Sequence, residues 1–521
     1  MKQVDLNVSQ DSEWALFLPA ISSFFISGLG KQREGENYFE QSRIPSAFNG
    51  DTERLNYYSS NGLFTYKWGL YSAGHANLDT SVDDHNESVV RKREEGTFLL
   101  GDSGGFQILK GQWHADWKDP NCPRAMEKRK AVLKWMDTYM DYGMCLDIPS
   151  QSLETYDKLD KNGVSCHGIQ TLQDAIKATH INNEYFIDNR NGECKFLNVL
   201  QGHNHTQSDD WYQEMKRYCD PNIYPDNHFN GWAFGGQNKA DIHLALKRLV
   251  HIVHDGLLQE GKHDLIHCLG TSILEYAVIF TVIQRALRKY VNPKLQITFD
   301  CASPFLSAAK GLAYYENNIE HNKKWSYRME KTAENKKYAT DNRTFVDAVL
   351  QDKIHSTFSS SPITDMLSVK DICYRGIGFL GQHGKETKTS WDTLSYTIMQ
   401  AHNVYQHISA VQEANKKYEQ GIIPKMLINN INSVKFNELV DEIFSLNDRQ
   451  KSLDLIEKHS KYFMQIQGGS YGYTGKRAVN SNTKFEQLFD GANSAKTKKE
   501  STKKVVEVAT VDNHSLFNFG E

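Results

Sequence analysis

From about residue 96 the chain alternates short apolar runs, each stopping at a polar or glycine residue, with longer stretches whose apolar positions recur at helical spacing. Thr97 to Leu100 delivers Asp102, and Gly143-Met144-Cys145-Leu146 stops at Asp147. Phe196 to Leu200 stops at Gln201-Gly202, and Gly231 to Phe234 stops at Gly235-Gly236. Leu265 to Leu269 ends in Gly270, and Leu295 to Phe299 ends in Asp300. Between them, Ala125 to Tyr142 puts Met126, Val132, Leu133, Met136, Tyr139 and Met140 on one stripe, and Ile242 to Leu258 and Ile273 to Tyr290 show the same helical period. This strand–helix alternation predicts a parallel sheet with helices outside. Because the strands end in Asp, Gln or Gly, their polar groups gather at one end of the sheet. That is the layout of an α/β fold of the (β/α)8 TIM-type barrel, whose chemistry sits at the C-terminal ends of the strands. An open doubly wound sheet is the alternative, but no G-x-G-x-x-G opens a helix here.

Outside this core the text is less regular. Residues 1–95 carry only short apolar runs, Ala15 to Ile26 and Leu63 to Tyr71, broken by glycines. Residues 315–345 are polar, rich in Lys and Asn, and predict a surface insertion. Leu394 to Tyr418 and Phe436 to Tyr462 read as helical. The expected organisation is a barrel over 1–415, a helical C-terminal addition over 416–491 and a flexible basic tail over 492–521. Gly468 to Arg477 contains Gly475-Lys476, but the glycine spacing of a phosphate loop is missing and Arg477 stands where Ser or Thr would hold magnesium; the segment reads as a turn.

Composition changes the picture only a little. With 39% apolar residues, including 25 Phe, 25 Tyr and 9 Trp, the chain of 521 residues has ample material for a large core. No run approaches the roughly eighteen apolar residues of a membrane span. The eight cysteines form no C-x-x-C pair, so reduced thiols and a cytoplasmic setting are expected. A net charge of −4 neither requires nor excludes a nucleic-acid partner, since local patches decide that. Arg91-Lys92-Arg93, Lys128-Arg129-Lys130, Arg285 to Lys289 and Lys323 to Lys337 are such patches, each also readable as a solvated face.

Two acids remote in sequence, Asp102 and Asp300, each at a strand end, suggest a paired-carboxylate site. Taken singly, an Asp there is as readily a helix cap, Gly104-Gly105 a turn and Phe106 a core residue. His203 and His205 invite a metal reading, against the plainer one of histidines in a polar loop.

The ordered set Asp102-Ser103-Gly104-Gly105-Phe106-Gln107, Leu146-Asp147, Leu200-Gln201-Gly202, Ala233-Phe234-Gly235-Gly236, Leu269-Gly270-Thr271 and Phe299-Asp300-Cys301 resembles the tRNA-guanine transglycosylase family, as does Ala401-His402-Asn403-Val404-Tyr405. The resemblance spans about residues 95–415. It implies a barrel pentosyltransferase that exchanges a guanine in a polynucleotide for a free 7-deazaguanine base, preQ0-like, with no cofactor required. By that likeness Asp300 is the nucleophile, Asp102 the general acid/base and Phe106 a stacking platform. Asp147, Gln201, Ser103 and the Gly235-Gly236 backbone would bind the base.

Two departures bear on the substrate. Members acting on tRNA carry a zinc held by Cys-x-Cys-x-x-Cys and a His. Here His402 fits the histidine, but Cys373 is the lone cysteine of Asp371-Ile372-Cys373-Tyr374-Arg375-Gly376, two ligands short of a tetrahedral site. Those members also follow the nucleophile with a Pro-Thr-Arg-like segment, whereas Asp300 is followed by Cys301-Ala302-Ser303-Pro304-Phe305. Retained chemistry with a changed grip resembles the DNA-modifying, DpdA-type branch of bacteria and phages. DNA and the free base are then the expected partners, with Lys310, Arg285, Lys289, Lys323 and Lys324 as phosphate contacts. A tRNA substrate and a catalytically silent nucleic-acid-binding paralogue are the alternatives.

Overall fold

The computed structural model describes residues 13–154, 166–332, 338, 340–344, 347–348, 359–372 and 392–466. Eight strands run parallel in one sheet: β1 (Leu16–Pro19), β2 (Trp68–Ser72), β3 (Phe98–Asp102), β4 (Tyr142–Met144), β5 (Lys195–Leu200), β6 (Gly231–Phe234), β7 (Leu265–Cys268) and β8 (Gln296–Cys301). Consecutive strands are neighbours from β2 to β8, and β8 returns to pair with β1, Leu18 opposite Asp300. The remaining seam is bridged between Ala20 and Leu70, with the Ile21 amide donating to the Leu70 carbonyl at 2.8 Å. The sheet is a nearly closed (β/α)8 barrel.

Each strand is followed by a helix: α1 (Ser23–Arg33), α2 (Ser88–Arg91), α3 (Pro123–Tyr139), α4 (Leu172–Asn189), α5 (His205–Met215), α6 (Ile242–His254), α7 (Glu275–Tyr290) and α8 (Thr393–Glu419). The starts are chemically marked. Pro occupies the first position of α3, a capping box of Thr171 and Asp174 opens α4, and Asn204, Asp241 and Asp392 cap α5, α6 and α8. The strands themselves are almost wholly buried and aliphatic or aromatic, as a sheet covered on both faces requires.

Between β8 and α8 the polar segment expected as a surface insertion contains an antiparallel pair, β9 (Leu312–Asn318) and β10 (Ser326–Lys331). Asn403 on α8 ties this pair to the barrel: its Oδ1 accepts from the Tyr314 amide at 2.9 Å, while its Nδ2 donates to the Leu312 and Pro304 carbonyls. After α8, the region read as helical over 436–462 resolves into α9 (Phe436–Ser445), α10 (Arg449–Lys458) and α11 (Ser460–Gln465), packed on the outside of α6 and α7. Gly468 to Arg477 and the 492–521 tail lie outside the described residues.

Candidate active site at the barrel mouth

The acids converge at the C-terminal end of the barrel. Asp102 ends β3, Asp147 follows β4, Gln201 follows β5, Gly235-Gly236 follow β6 and Asp300 lies near the end of β8. Strands β3 and β8 are not neighbours, being separated by β1 and β2. Both strands nonetheless end at the same mouth, and Asp102 lies close enough to Asp300 for that charge to raise its pKa. Burial raises the pKa of Asp102, hydrogen bonds from the Ser72 hydroxyl and the Gly104 amide pull it down, and the Asp300 charge raises it further. Asp147 is pushed up to about 7 by burial, against the Gln201 hydrogen bond and with the Asp102 charge. Three carboxyl groups thus sit at the same end of the barrel, with Asp102 within electrostatic reach of the other two.

Gln201 donates from Nε2 to Asp147 Oδ2 at 2.8 Å. Its buried Oε1 accepts no hydrogen bond among the described residues. A buried acceptor left open beside a carboxyl is able to take a hydrogen-bond donor from a ligand. The Gly235-Gly236 turn lies hard against it: a Cβ at Gly235 would stand 2.8 Å from Gln201 Nε2. The Gly235 amide is spent on the Leu200 carbonyl at 2.8 Å, whereas the Gly236 amide donates to no described group. Gly236 is left-handed (φ 52°), and a Cβ there would meet the Gly202 carbonyl at 2.5 Å.

Asp300 is held asymmetrically. Its Oδ1 accepts from the Gly270 amide at 2.6 Å and lies 3.1 Å from His267 Nε2, while Oδ2 has no hydrogen-bond partner among the described residues. The Asp300 side chain keeps 12% of its surface and that of His267 none, so the carboxylate alone reaches the mouth. Ser103 is buried in the turn after Asp102, and Phe106, on the short helix Gly105–Leu109, is 38% exposed with the Lys110 ammonium 5.0 Å from its ring centre.

The structure separates the expected phosphate contacts into two groups. Lys310 is exposed at the end of the short helix Ser303–Ala309 that leaves β8, and Lys323 and Lys324 are exposed between β9 and β10. Trp325, next to them, donates its amide to Glu275 at the start of α7, while Asn322 and Lys323 bond to Ile423 and Lys425 just beyond the end of α8, so this tip lies along the outside of the barrel. Arg285 and Lys289 sit at the other end of α7, beside the start of β8, where Arg288 donates to the Leu295 carbonyl. Arg285 is paired with Glu419 and Lys289 with Asp441. The run 91–93 is likewise engaged, Arg91 with Glu87, Lys92 with Glu34 and Asp83, and Arg93 with Asp141.

His402 is buried, with Nδ1 2.9 Å from the Ser361 hydroxyl and Nε2 2.8 Å from the Tyr314 carbonyl. Burial lowers its pKa to about 4, so the ring is neutral. Both nitrogens are committed to hydrogen bonds, which does not fit a zinc ligand; Cys373 lies outside the described residues. Among the described residues no group of three or more His, Cys, Asp or Glu side chains is arranged to hold a metal ion. His205, from the 203/205 pair, instead faces Asp241 at 3.5 Å.

Ser72 and His267, which hydrogen-bond the acids, and Thr298 and Lys239, which brace them, have no counterpart in the sequence reading. Ser72, His267 and Thr298 are single polar residues within or beside apolar runs, where a satisfied core residue looks the same, and Lys239 lies in a polar stretch that reads as a solvated turn. The available signal was Thr298 and Asp300, two apart on one strand and therefore on one face.

No known family profile and no curated protein matches the chain. The fold is consistent with pentosyltransferase-type enzymes, and more broadly with barrel catalysts of glycosyl and base exchange. No helix among the described residues is long and apolar enough to cross a membrane.

Proposed function

We propose that this protein is a DNA-guanine transglycosylase, replacing guanine in DNA with a free 7-deazaguanine base through a covalent aspartyl-glycosyl intermediate. The observation that supports the proposal is the placement of Asp102 and Asp300 at the mouth ends of non-adjacent strands, with one oxygen of Asp300 anchored and the other without a partner among the described residues. Asp300 Oδ2 attacks C1′ of the sugar as the bond to guanine breaks, while Asp102, whose raised pKa suits proton delivery, protonates the departing base. The incoming base then attacks C1′ and frees Asp300, its N–H proton returning to Asp102. No redox or nucleotide cofactor is needed, because one glycosidic bond replaces another.

Asp147, Gln201 and the Gly236 amide supply the base-reading edge in this scheme. A carboxylate facing a ring N–H and an exocyclic amine accepts guanine-like bases and leaves adenine or a pyrimidine with unpaired groups. Phe106 is an exposed aromatic one residue after Gly105, where an added Cβ would stand 2.8 Å from the Asp147 carbonyl, and is suited to stacking. DNA is favoured over tRNA by the segment after Asp300, where Pro304, Phe305 and Ala308 are buried and Lys310 alone offers a charge. A base in duplex DNA must leave its stack before its sugar can reach Asp300. The test is label transfer: with a radiolabelled 7-deazaguanine base, counts enter DNA and not tRNA. Label entering only tRNA overturns the choice of polymer, and label entering neither overturns the exchange reading.

A further inference from the structure

The interior of an α/β barrel is ordinarily filled with branched aliphatic side chains. Here a polar column runs up it. Thr298 and His267 are register partners on β8 and β7, and Asp300 is two residues above Thr298 on the same face. The His267 ring, with no exposed surface, lies with Nδ1 2.9 Å from Thr298 Oγ1 and Nε2 3.1 Å from Asp300 Oδ1. Burying such a group is costly unless it is fully hydrogen-bonded, and these two contacts use both of its nitrogens.

The second donor to the same oxygen is the Gly270 amide, on the loop that leaves β7. That loop is fixed from below and from the side. The Leu269 amide donates to the Phe234 carbonyl at 3.1 Å and the Thr271 amide to the Asp300 carbonyl at 2.6 Å. Lys239, almost fully buried, sends its ammonium to the carbonyls of Leu269 and Gly270. A lysine withdrawn from water to grip two backbone carbonyls next to a carboxylate has no role in the base-reading edge.

We infer that His267 and Lys239 are positioning residues for Asp300: His267 donates from Nε2 to Oδ1, Lys239 clamps the loop that presents the Gly270 amide, and together they aim Oδ2 at the sugar. This rests on the base-exchange reading for its kinetic consequence, but not for its geometry. With one oxygen held by two donors, the carboxylate cannot rotate to offer the same oxygen to a proton or a cation. Orientation of this kind appears in the chemical step rather than in binding.

The test has two arms. In steady-state exchange, His267→Leu lowers kcat by about tenfold to a hundredfold while KM for DNA and for the base stays within about twofold. His267→Gln, which keeps an N–H donor, recovers part of that loss, and Lys239→Met also lowers kcat. A His267→Leu enzyme with unchanged kcat, a loss carried by KM, or a Gln variant no better than Leu overturns the inference. In the second arm, the full chain is labelled with 15N-histidine and the His267 signals are assigned by their loss in His267→Gln. The Nε2 nitrogen is expected to carry a proton and to shift in Asp300→Ala; an unprotonated Nε2, or no shift, overturns the inference. Should the wild-type protein exchange no base, the exchange reading falls and the NMR arm alone decides the positioning role.

Discussion

The carboxyl groups at the mouth differ in ways that assign separate work to them. Asp300 is anchored through one oxygen, Asp102 is raised by burial and by the Asp300 charge, and Asp147 is raised to about 7. In the proposed mechanism, Asp300→Ala lowers exchange by about a thousandfold or more and Asp102→Asn by about a hundredfold or more, measured as label incorporated per minute. Asp147 makes a pH prediction whose sign follows from its shift. Its folded-state value of about 7 stands above the ordinary 3.8, so between those values the folded chain holds the extra proton. The stability this gives is full below the ordinary value and is lost as pH rises through about 7. Asp147→Asn is therefore expected to flatten the fall in melting temperature between pH 5 and 8, by roughly the share of one group. The ionised form is the one that accepts from a guanine-like edge, so KM for the base should fall across the same range and stay flat in the variant. A melting curve whose pH slope is the same with Asn would show that Asp147 titrates normally.

At the level of elements, the helix read from Ala401 to Tyr405 turns out to be a fastener. His402 and Asn403 use five hydrogen bonds to tie α8 to β9, to Ser361 and to the start of the short helix after β8. Asn403→Ala strips partners from three backbone groups and is expected to destabilise the fold by about 1–3 kcal/mol for each one left unsatisfied, read by urea denaturation. Gly236→Ala is a second local prediction. It forces a side chain into a left-handed residue 2.5 Å from the Gly202 carbonyl. We expect a cost of about 1–3 kcal/mol and weakened base binding, with an Asp300-dependent exchange that survives. The sequence made six of the eight strands and their polar ends legible because each run stops sharply at Asp, Gln or Gly. It left β1 and β2 as undefined apolar runs: β1 is four residues long and its apolar pattern continues into α1, and β2 ends on Ser72, a residue with no obvious charge to mark it. The partners of the acids were hidden for a related reason, since His267 among Leu265, Ile266 and Cys268 reads as an ordinary buried histidine.

Over the whole molecule, charge is distributed more tellingly than its sum suggests. The basic runs that stand out in the sequence are largely spent on neighbours: Arg91 on Glu87, Arg93 on Asp141, Arg285 on Glu419 and Lys289 on Asp441. Lys310, at the end of the short helix that leaves β8, and Lys323 and Lys324, on the β9–β10 tip, are exposed to solvent. If DNA lies along these lysines, Lys323→Glu with Lys324→Glu weakens oligonucleotide binding and lowers its salt dependence, whereas Arg285→Ala leaves both unchanged. Equal losses from the two sets, in fluorescence anisotropy titrations at several salt concentrations, would place the polymer elsewhere. The central claim, that the acids of β3 and β8 exchange a base on DNA, is tested most directly by trapping the intermediate. The wild-type protein and Asp300→Ala are each incubated with a guanine-containing DNA oligonucleotide, denatured and resolved on a gel. A protein–DNA adduct formed by the wild type, absent from Asp300→Ala and discharged by a free 7-deazaguanine base, is the predicted result. An adduct that persists in Asp300→Ala, or label reaching DNA as readily with that variant as with the wild type, would contradict it.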